Sequence, residues 1–181
     1  MKYRTNNTYD YKYSNRGMGL EEDLNISNKY YLDKKIAIIY KKPTPITINK
    51  VNYHSRCDAT ITEAHFKIPS TTDYNGIYKG KYIDFEAKET KNKTSFPLSN
   101  IHQHQIKHLQ MISMLGGIGF IIVRFSLLNE TYYLSADKLF NFLDNETRKS
   151  IPIEYFRKYG FLLKPKLRPL IDYLEAVERN I

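Results

Sequence analysis

A single cysteine, Cys57, means that no disulfide can form within this chain, which fits a reducing compartment. No apolar run approaches the roughly 20 residues that a membrane-spanning helix needs. The opening MKYRTNNTYDYKYSNR has no apolar core of the kind a secretory signal carries. A membrane protein and a disulfide-stapled scaffold are therefore not expected. Hydrophobic residues make up 41% of the chain, which excludes disorder throughout, and 181 residues are enough for one domain with a sizeable core.

Positive charge and tyrosine are abundant. The formal net charge is +9 and there are 16 tyrosines. A basic surface supplies phosphate contacts and counterion release, and aromatic faces can stack on bases. Half-buried strand positions explain tyrosines equally well, and many small basic proteins bind nothing specific. Composition leaves both readings open.

Residues 1–13 are polar and without periodicity, so a mobile tail is expected ahead of a domain spanning 14–181. A helix should follow, capped by Ser14 or Asn15, with Leu20 and Leu24 on one face and Glu21, Glu22 and Asp23 in its early turns. KKIAIIYKK reads as a buried strand ending at Pro43. Residues 46–68 alternate loosely and are polar on both faces, which predicts a projecting hairpin. YNGIYKGKYIDFEAK reads as a tight hairpin with strands 74–78 and 81–88 and a turn at Lys79-Gly80. SNIHQHQIKHLQMISMLGG predicts a helix capped by Ser99 or Asn100, with an Ile106, Leu109, Ile112 stripe, stopped at Gly116-Gly117. IGFIIVRF reads as a second buried strand and TYYLS as an outer one. Ser135 should cap a helix to about Leu143, and PLIDYLEAVERN a last one. The order predicts a mixed α/β domain with one central sheet.

In KYIDFEAKETKNKTS, same-face strand neighbours lie about 6.6 Å apart. Tyr82, Asp84, Glu86 and Lys88 therefore share one face, and Ile83, Phe85 and Ala87 the other. The predicted hairpin brings Asp73 beside Glu86 and Lys88. Two carboxylates can hold a hard divalent cation, and magnesium usually keeps several waters beside such ligands. A neighbouring lysine can stabilise charge on a phosphoryl transition state. The plainer alternative is a solvated strand face with a Glu–Lys pair contributing at most about 1 kcal/mol.

The blocks STTDYNGIYKGKYIDFEAKETKNKTSFPLSN, NRGMGLEEDLN, YKKPTPI and HQHQIKH resemble the RecU family of Holliday-junction resolvases, from about Ser14 through the C-terminal helix. The resemblance implies an α/β fold of the restriction-endonuclease-like type, with a mixed central sheet flanked by helices and a projecting β-hairpin stalk matching 46–68. It implies a cytoplasmic, nucleoid-associated homodimer that needs magnesium or manganese, cuts opposed strands of a four-way DNA junction and modulates the recombinase RecA. By the same resemblance Asp73 and Glu86 match metal-binding carboxylates, Lys88 the transition-state lysine, and Thr71 and Gln105 positions completing the metal shell. Arg16 and Lys41 match positions tied to DNA. Asp84 points the same way as Glu86 and is held as a supporting acid. The first 13 residues and 144–168 match less clearly.

Other features have duller readings. Glu21 could be a third acid at the cleft or a surface acid favoured by the helix dipole. Lys91 and Lys93 could draw DNA towards the acids or only solubilise a loop. His104 and His108 are four apart, as in a zinc pair, but Gln105 stands where a metalloprotease helix has glutamate and no third ligand is evident, so zinc is not expected. Cys57 has no recognisable partner base. Two rival functions remain: a nuclease of the same fold acting on other DNA structures, and a non-catalytic junction-binding module that regulates a recombinase.

Overall fold

The computed structural model describes residues 19–53, 58–67 and 71–179. Helix α1 (Leu20–Asp33) and strand β1 (Ala37–Lys41) precede β2 (Ile46–Asn52) and β3 (Thr60–Phe66), which lead to β4 (Tyr74–Tyr78) and β5 (Lys81–Thr90). A short β6 (Ser95–Pro97) and a 3₁₀ turn at Leu98–Asn100 lead into α2 (Gln103–Met114) and β7 (Ile118–Phe125). Then come β8 (Glu130–Ser135), α3 (Ala136–Asn145), β9 (Ser150–Pro152), α4 (Ile153–Tyr159), β10 (Phe161–Leu162) and α5 (Tyr173–Glu178).

The central sheet has six strands in the order β1-β4-β5-β7-β8-β10. Only β5 and β7 pair in parallel, because α2 carries the chain across between them; the other neighbours are antiparallel. The turn joining β4 to β5 puts Lys79 and Gly80 at φ 47° and 74°, the positive values that a two-residue hairpin turn requires.

Strand alternation divides the core in two. On one face Tyr74, Phe85 and Phe120 stack across three strands, with centroids 4.8 and 4.6 Å apart. Leu24 and Tyr31 of α1 and Tyr173 and Val177 of α5 seal that face. On the other face Ile121, Val123 and Phe125 of β7 pack with Leu109 of α2, Leu139 and Phe142 of α3, and Phe156 of α4. Those helices leave the β1–β4 half of this second face uncovered. Ile38, Ile77 and Tyr82 lie side by side there by register and are 52%, 56% and 38% exposed.

Several expectations need correction. β1 is an edge strand rather than a buried one, with Ala37 and Ile39 inward and Ile38 and Tyr40 outward. Helix α1 starts at Leu20 with Gly19 as its N-cap, not at Ser14 or Asn15, which lie outside the described residues along with the expected 1–13 tail. The carboxylate of Glu89 takes the Leu20 N–H at 3.1 Å, so a side chain from β5 satisfies one of the free N–H groups at the start of the helix. In α2 the cap is His102 rather than Ser99 or Asn100, because Leu98–Asn100 turn as a separate 3₁₀ segment. β8 lies inside the sheet, since β10 pairs along it. β6, β9, α4 and β10 were not foreseen.

Phe85 is fully buried in the aromatic stack. Phe85→Ala is expected to cost about 3–5 kcal/mol of stability, read as a lower urea midpoint with an unchanged slope.

Candidate active site

The alternation of β5 that buries Phe85 turns Asp84, Glu86 and Lys88 to the opposite face, beneath the N-terminal part of α2. Tyr74 pairs with Phe85, so Asp73, one residue earlier, stands opposite Glu86. Lys88 joins the two acids: its ammonium is ion-paired with Glu86 and lies 4.0 Å from an Asp73 oxygen. That same Asp73 oxygen accepts the Ala87 N–H at 3.3 Å. Asp73, Glu86 and Lys88 are thus gathered at one end of the sheet.

Asp84 and Glu86 are both 0% exposed, yet their surroundings differ. Asp84 is saturated with donors. Its Oδ2 receives Lys42 Nζ at 2.8 Å and the Tyr82 hydroxyl at 2.8 Å, and stands 3.1 Å from His108 Nε2. Its Oδ1 receives the Thr72 hydroxyl. Glu86 has the Lys88 charge beside Oε1, but neither of its oxygens accepts a directed hydrogen bond. Buried acceptors are nearly always satisfied, so a buried carboxylate left open is anomalous unless something else fills it.

The electrostatics agree with the geometry. Burial, then the hydrogen-bonding closeness and charge of Asp73, push the Glu86 carboxyl up to about 8, with Lys88 opposing. Lys88 offsets only part of the burial and of the repulsion between the two acids, and a cation between them would favour both in their ionised form. Among the described residues no group of three or more His, Cys, Asp or Glu is placed to hold a metal. A cation here would rest on two carboxylates, neutral oxygens and water, the donor set that suits magnesium or manganese.

The remaining expected residues divide. Thr71 lies half-buried on the loop before Asp73, and its hydroxyl makes a 3.5 Å bond to the Thr72 carbonyl. Gln105 is 4% exposed, and its Oε1 accepts the His102 N–H at 2.9 Å in a capping box, which leaves one lone pair of that oxygen. Lys41 points to the opposite side of β1 from the acids, where it pairs with Glu21. Glu21 and Lys88 both line an open cleft of about 550 Å³ between the start of α1 and the end of β5. Lys91 and Lys93 are exposed just beyond β5. Arg16 and Cys57 lie outside the described residues.

Sequence reasoning missed Lys42, Thr72 and the role of His108. Strand parity could have found Lys42, since it alternates with Lys41 and so falls on the acid face. His104 stacks on His102 with centroids 5.4 Å apart, and its pKa is lowered by burial, then by His102 and Lys88. It therefore leans neutral beside the acid cluster.

The family model for "Recombination protein U" (RecU) matches residues 15–179. Proteins named Holliday junction resolvase RecU align over almost all of the chain. That of Geobacillus sp. (strain WCH70) is 55% identical over 170 residues, covering 92% of this chain and 85% of its own. That of Pediococcus pentosaceus is 54% identical over 172 residues, covering 93% and 86%. Among solved structures, Archaeoglobus fulgidus Hjc, a Holliday junction resolvase, aligns with a TM-score of 0.46 at 12% identity, covering 78% of this chain and 92% of that one. With the matched segment enclosing every described site residue, the chain belongs to the RecU family.

Proposed function

We propose that this chain is a structure-selective endonuclease that resolves four-way DNA junctions in homologous recombination and repair. The observation that carries the reading is Glu86, a buried carboxylate with no directed hydrogen bond, held against Asp73 and Lys88. In this reading Asp73 and Glu86 hold the divalent cation, with Thr71 and the open lone pair of Gln105 completing its surroundings directly or through water. Magnesium or manganese, when bound, lowers the pKa of a coordinated water and offsets charge on the phosphate.

The protein's own groups do the rest. Lys88 presents an ammonium at the meeting point of both acids, where negative charge on the phosphoryl oxygens must be balanced. Hydrolysis breaks the bond from phosphorus to the 3′-oxygen, which leaves 5′-phosphate and 3′-hydroxyl ends. Lys91 and Lys93, exposed at the end of the acid strand, attract the polyanion to a site whose carboxylates would repel it. Arg16 and Lys41 are assigned to DNA by family resemblance; Lys41 would have to exchange Glu21 for a phosphate. The β2–β3 hairpin is read as the limb that meets the junction arms. Modulation of the RecA recombinase and a cytoplasmic, nucleoid-associated location follow from the same resemblance.

A four-way junction is nearly two-fold symmetric, so matched cuts call for two sites about a two-fold axis. The exposed row Ile38, Ile77 and Tyr82 on the open half of the sheet supports a second copy as its cover. Ile77→Asp should shift the protein towards monomer by sedimentation velocity; an unchanged dimer would move the interface elsewhere.

The decisive assay is a synthetic four-way junction incubated with and without magnesium. Glu86→Ala or Lys88→Ala should lower cleavage by about 10³-fold or more while junction binding persists. Near wild-type cutting by either variant sinks the assignment. Competition against linear duplex of matched sequence separates junction resolution from general nuclease action. Lys91→Ala and Lys93→Ala should instead weaken binding and flatten its salt dependence.

The raised Glu86 pKa gives a pH test on the cation-free protein. The folded state keeps a proton that the unfolded chain releases near 4.5. This group's stabilising contribution is therefore complete below that value and lost as pH rises through about 8. Urea midpoints should fall across that window, and Glu86→Gln should flatten the fall. Magnesium added below pH about 8 should release protons, since the cation competes with the proton for Glu86.

A further inference from the structure

The two limbs of the β2–β3 hairpin converge on one buried carboxylate. The outgoing limb leaves β1 after Lys41 and becomes β2 at Ile46; the returning limb leaves β3 at Phe66 and rejoins the sheet at Tyr74. Lys42 lies on the first limb and Thr72 on the second. The Lys42 N–H donates to the Asp73 carbonyl at 2.7 Å, and the Lys67 N–H donates to the Pro45 carbonyl at 2.9 Å. The Lys42 ammonium donates to Thr72 Oγ1 at 3.0 Å and to Asp84 Oδ2 at 2.8 Å, and the Thr72 hydroxyl donates to Asp84 Oδ1. Lys42, Thr72 and Asp84 close a ring. His108, three residues beyond Gln105 on α2, reaches the same carboxylate at 3.1 Å.

Among the described residues, β2 and β3 hydrogen-bond as strands only to each other. β2 and β3 form a two-stranded sheet of their own, and every residue of β3 is exposed. Such a ribbon is marginal alone, so its attitude to the body is set where it is attached. Thr72 is 3% exposed and Asp84 0%, so the contact between them is shielded from water. Thr72 is flanked by Thr71 and Asp73.

We infer that Lys42, Thr72 and Asp84 form a clamp coupling the orientation of the β2–β3 hairpin to the geometry of the Asp73–Glu86 site. The inference rests on the proposed reading of that site as a divalent-cation nuclease centre and of the hairpin as the limb that meets DNA. The three are positioning residues. Asp84 anchors to the central strand, Lys42 and Thr72 hold the two limbs to it, and His108 ties in the helix carrying Gln105. A displacement of the hairpin therefore moves the residues on either side of Thr72, while Glu86 stays fixed in β5.

Thr72→Val and Lys42→Met test the clamp, with Thr72→Ser as the variant that keeps the hydroxyl. Manganese alone, titrated calorimetrically into DNA-free protein, should bind about tenfold or more weakly to Thr72→Val and Lys42→Met, and normally to Thr72→Ser. Amide hydrogen exchange at residues 71–74 should quicken in the first two variants and not in the third. Junction cleavage should lose kcat with KM unchanged. Wild-type manganese binding and wild-type exchange at 71–74 in both Thr72→Val and Lys42→Met overturn the clamp, as does a Thr72→Ser that behaves like Thr72→Val. Glu86→Gln separates the two readings. If it binds manganese like wild type, the metal-centre reading fails, and exchange at 71–74 still decides the clamp.

Discussion

Placing two carboxylates in the interior at alternate positions of one strand is the constraint around which this molecule is organised. Each ionised group removed from water costs several kcal/mol unless paired and hydrogen-bonded. Asp84 meets that cost internally, with Lys42, Tyr82, Thr72 and His108 drawn from different segments of the chain. Glu86 has only the Lys88 ion pair against its burial and the nearby Asp73, and its proton affinity rises. The pair thus differs along one strand: Asp84 gathers donors from four other positions of the chain, while Glu86 meets Lys88 and Asp73 alone.

That difference depends on how the sheet is covered. Helices α2, α3 and α4 pack over the β7–β8 side of one face and stop at β5, so the acid strand runs along the border between covered and open sheet. Further out on β4 Glu86 would be solvated and its pKa ordinary. The parallel β5–β7 pairing fixes the border, because the crossover helix has to start near the C-terminal end of β5 and so brings His108 to Asp84.

Much of this was legible in the sequence because it follows from period-two alternation. The β4–β5 hairpin, its Lys-Gly turn and the separation of Phe85 from Glu86 need only strand parity and turn chemistry, and the register that puts Asp73 opposite Glu86 follows from them. What was not legible depends on distant partners. The first N–H of α1 is accepted by a glutamate 69 residues away, which no local pattern announces. β1 reads as buried because its composition is β-branched, and only the sheet order reveals it as an edge with an apolar outer side. The tyrosines suggested base stacking or half-buried strands, whereas Tyr31, Tyr74 and Tyr173 are core residues whose hydroxyls find polar partners. Asp84 could be placed on the right face, but its donors come from residues 42, 72, 82 and 108, a set defined by folding alone.

The position of the hairpin then follows from topology. β1 and β4 are antiparallel neighbours, so the chain between them could have been a short turn; β2 and β3 extend that turn outward without changing the order of the sheet. β4 also runs antiparallel to β5, which places the start of β4 against the end of β5. The hairpin therefore springs from the same end of the sheet as Asp73, Glu86 and Lys88. An insertion at the β4–β5 turn, by contrast, would leave from the opposite end of the sheet, away from Asp73, Glu86 and Lys88. The hairpin and Asp73 therefore share one connection between β1 and β4, and the two ends of that connection bring Lys42 and Thr72 to Asp84.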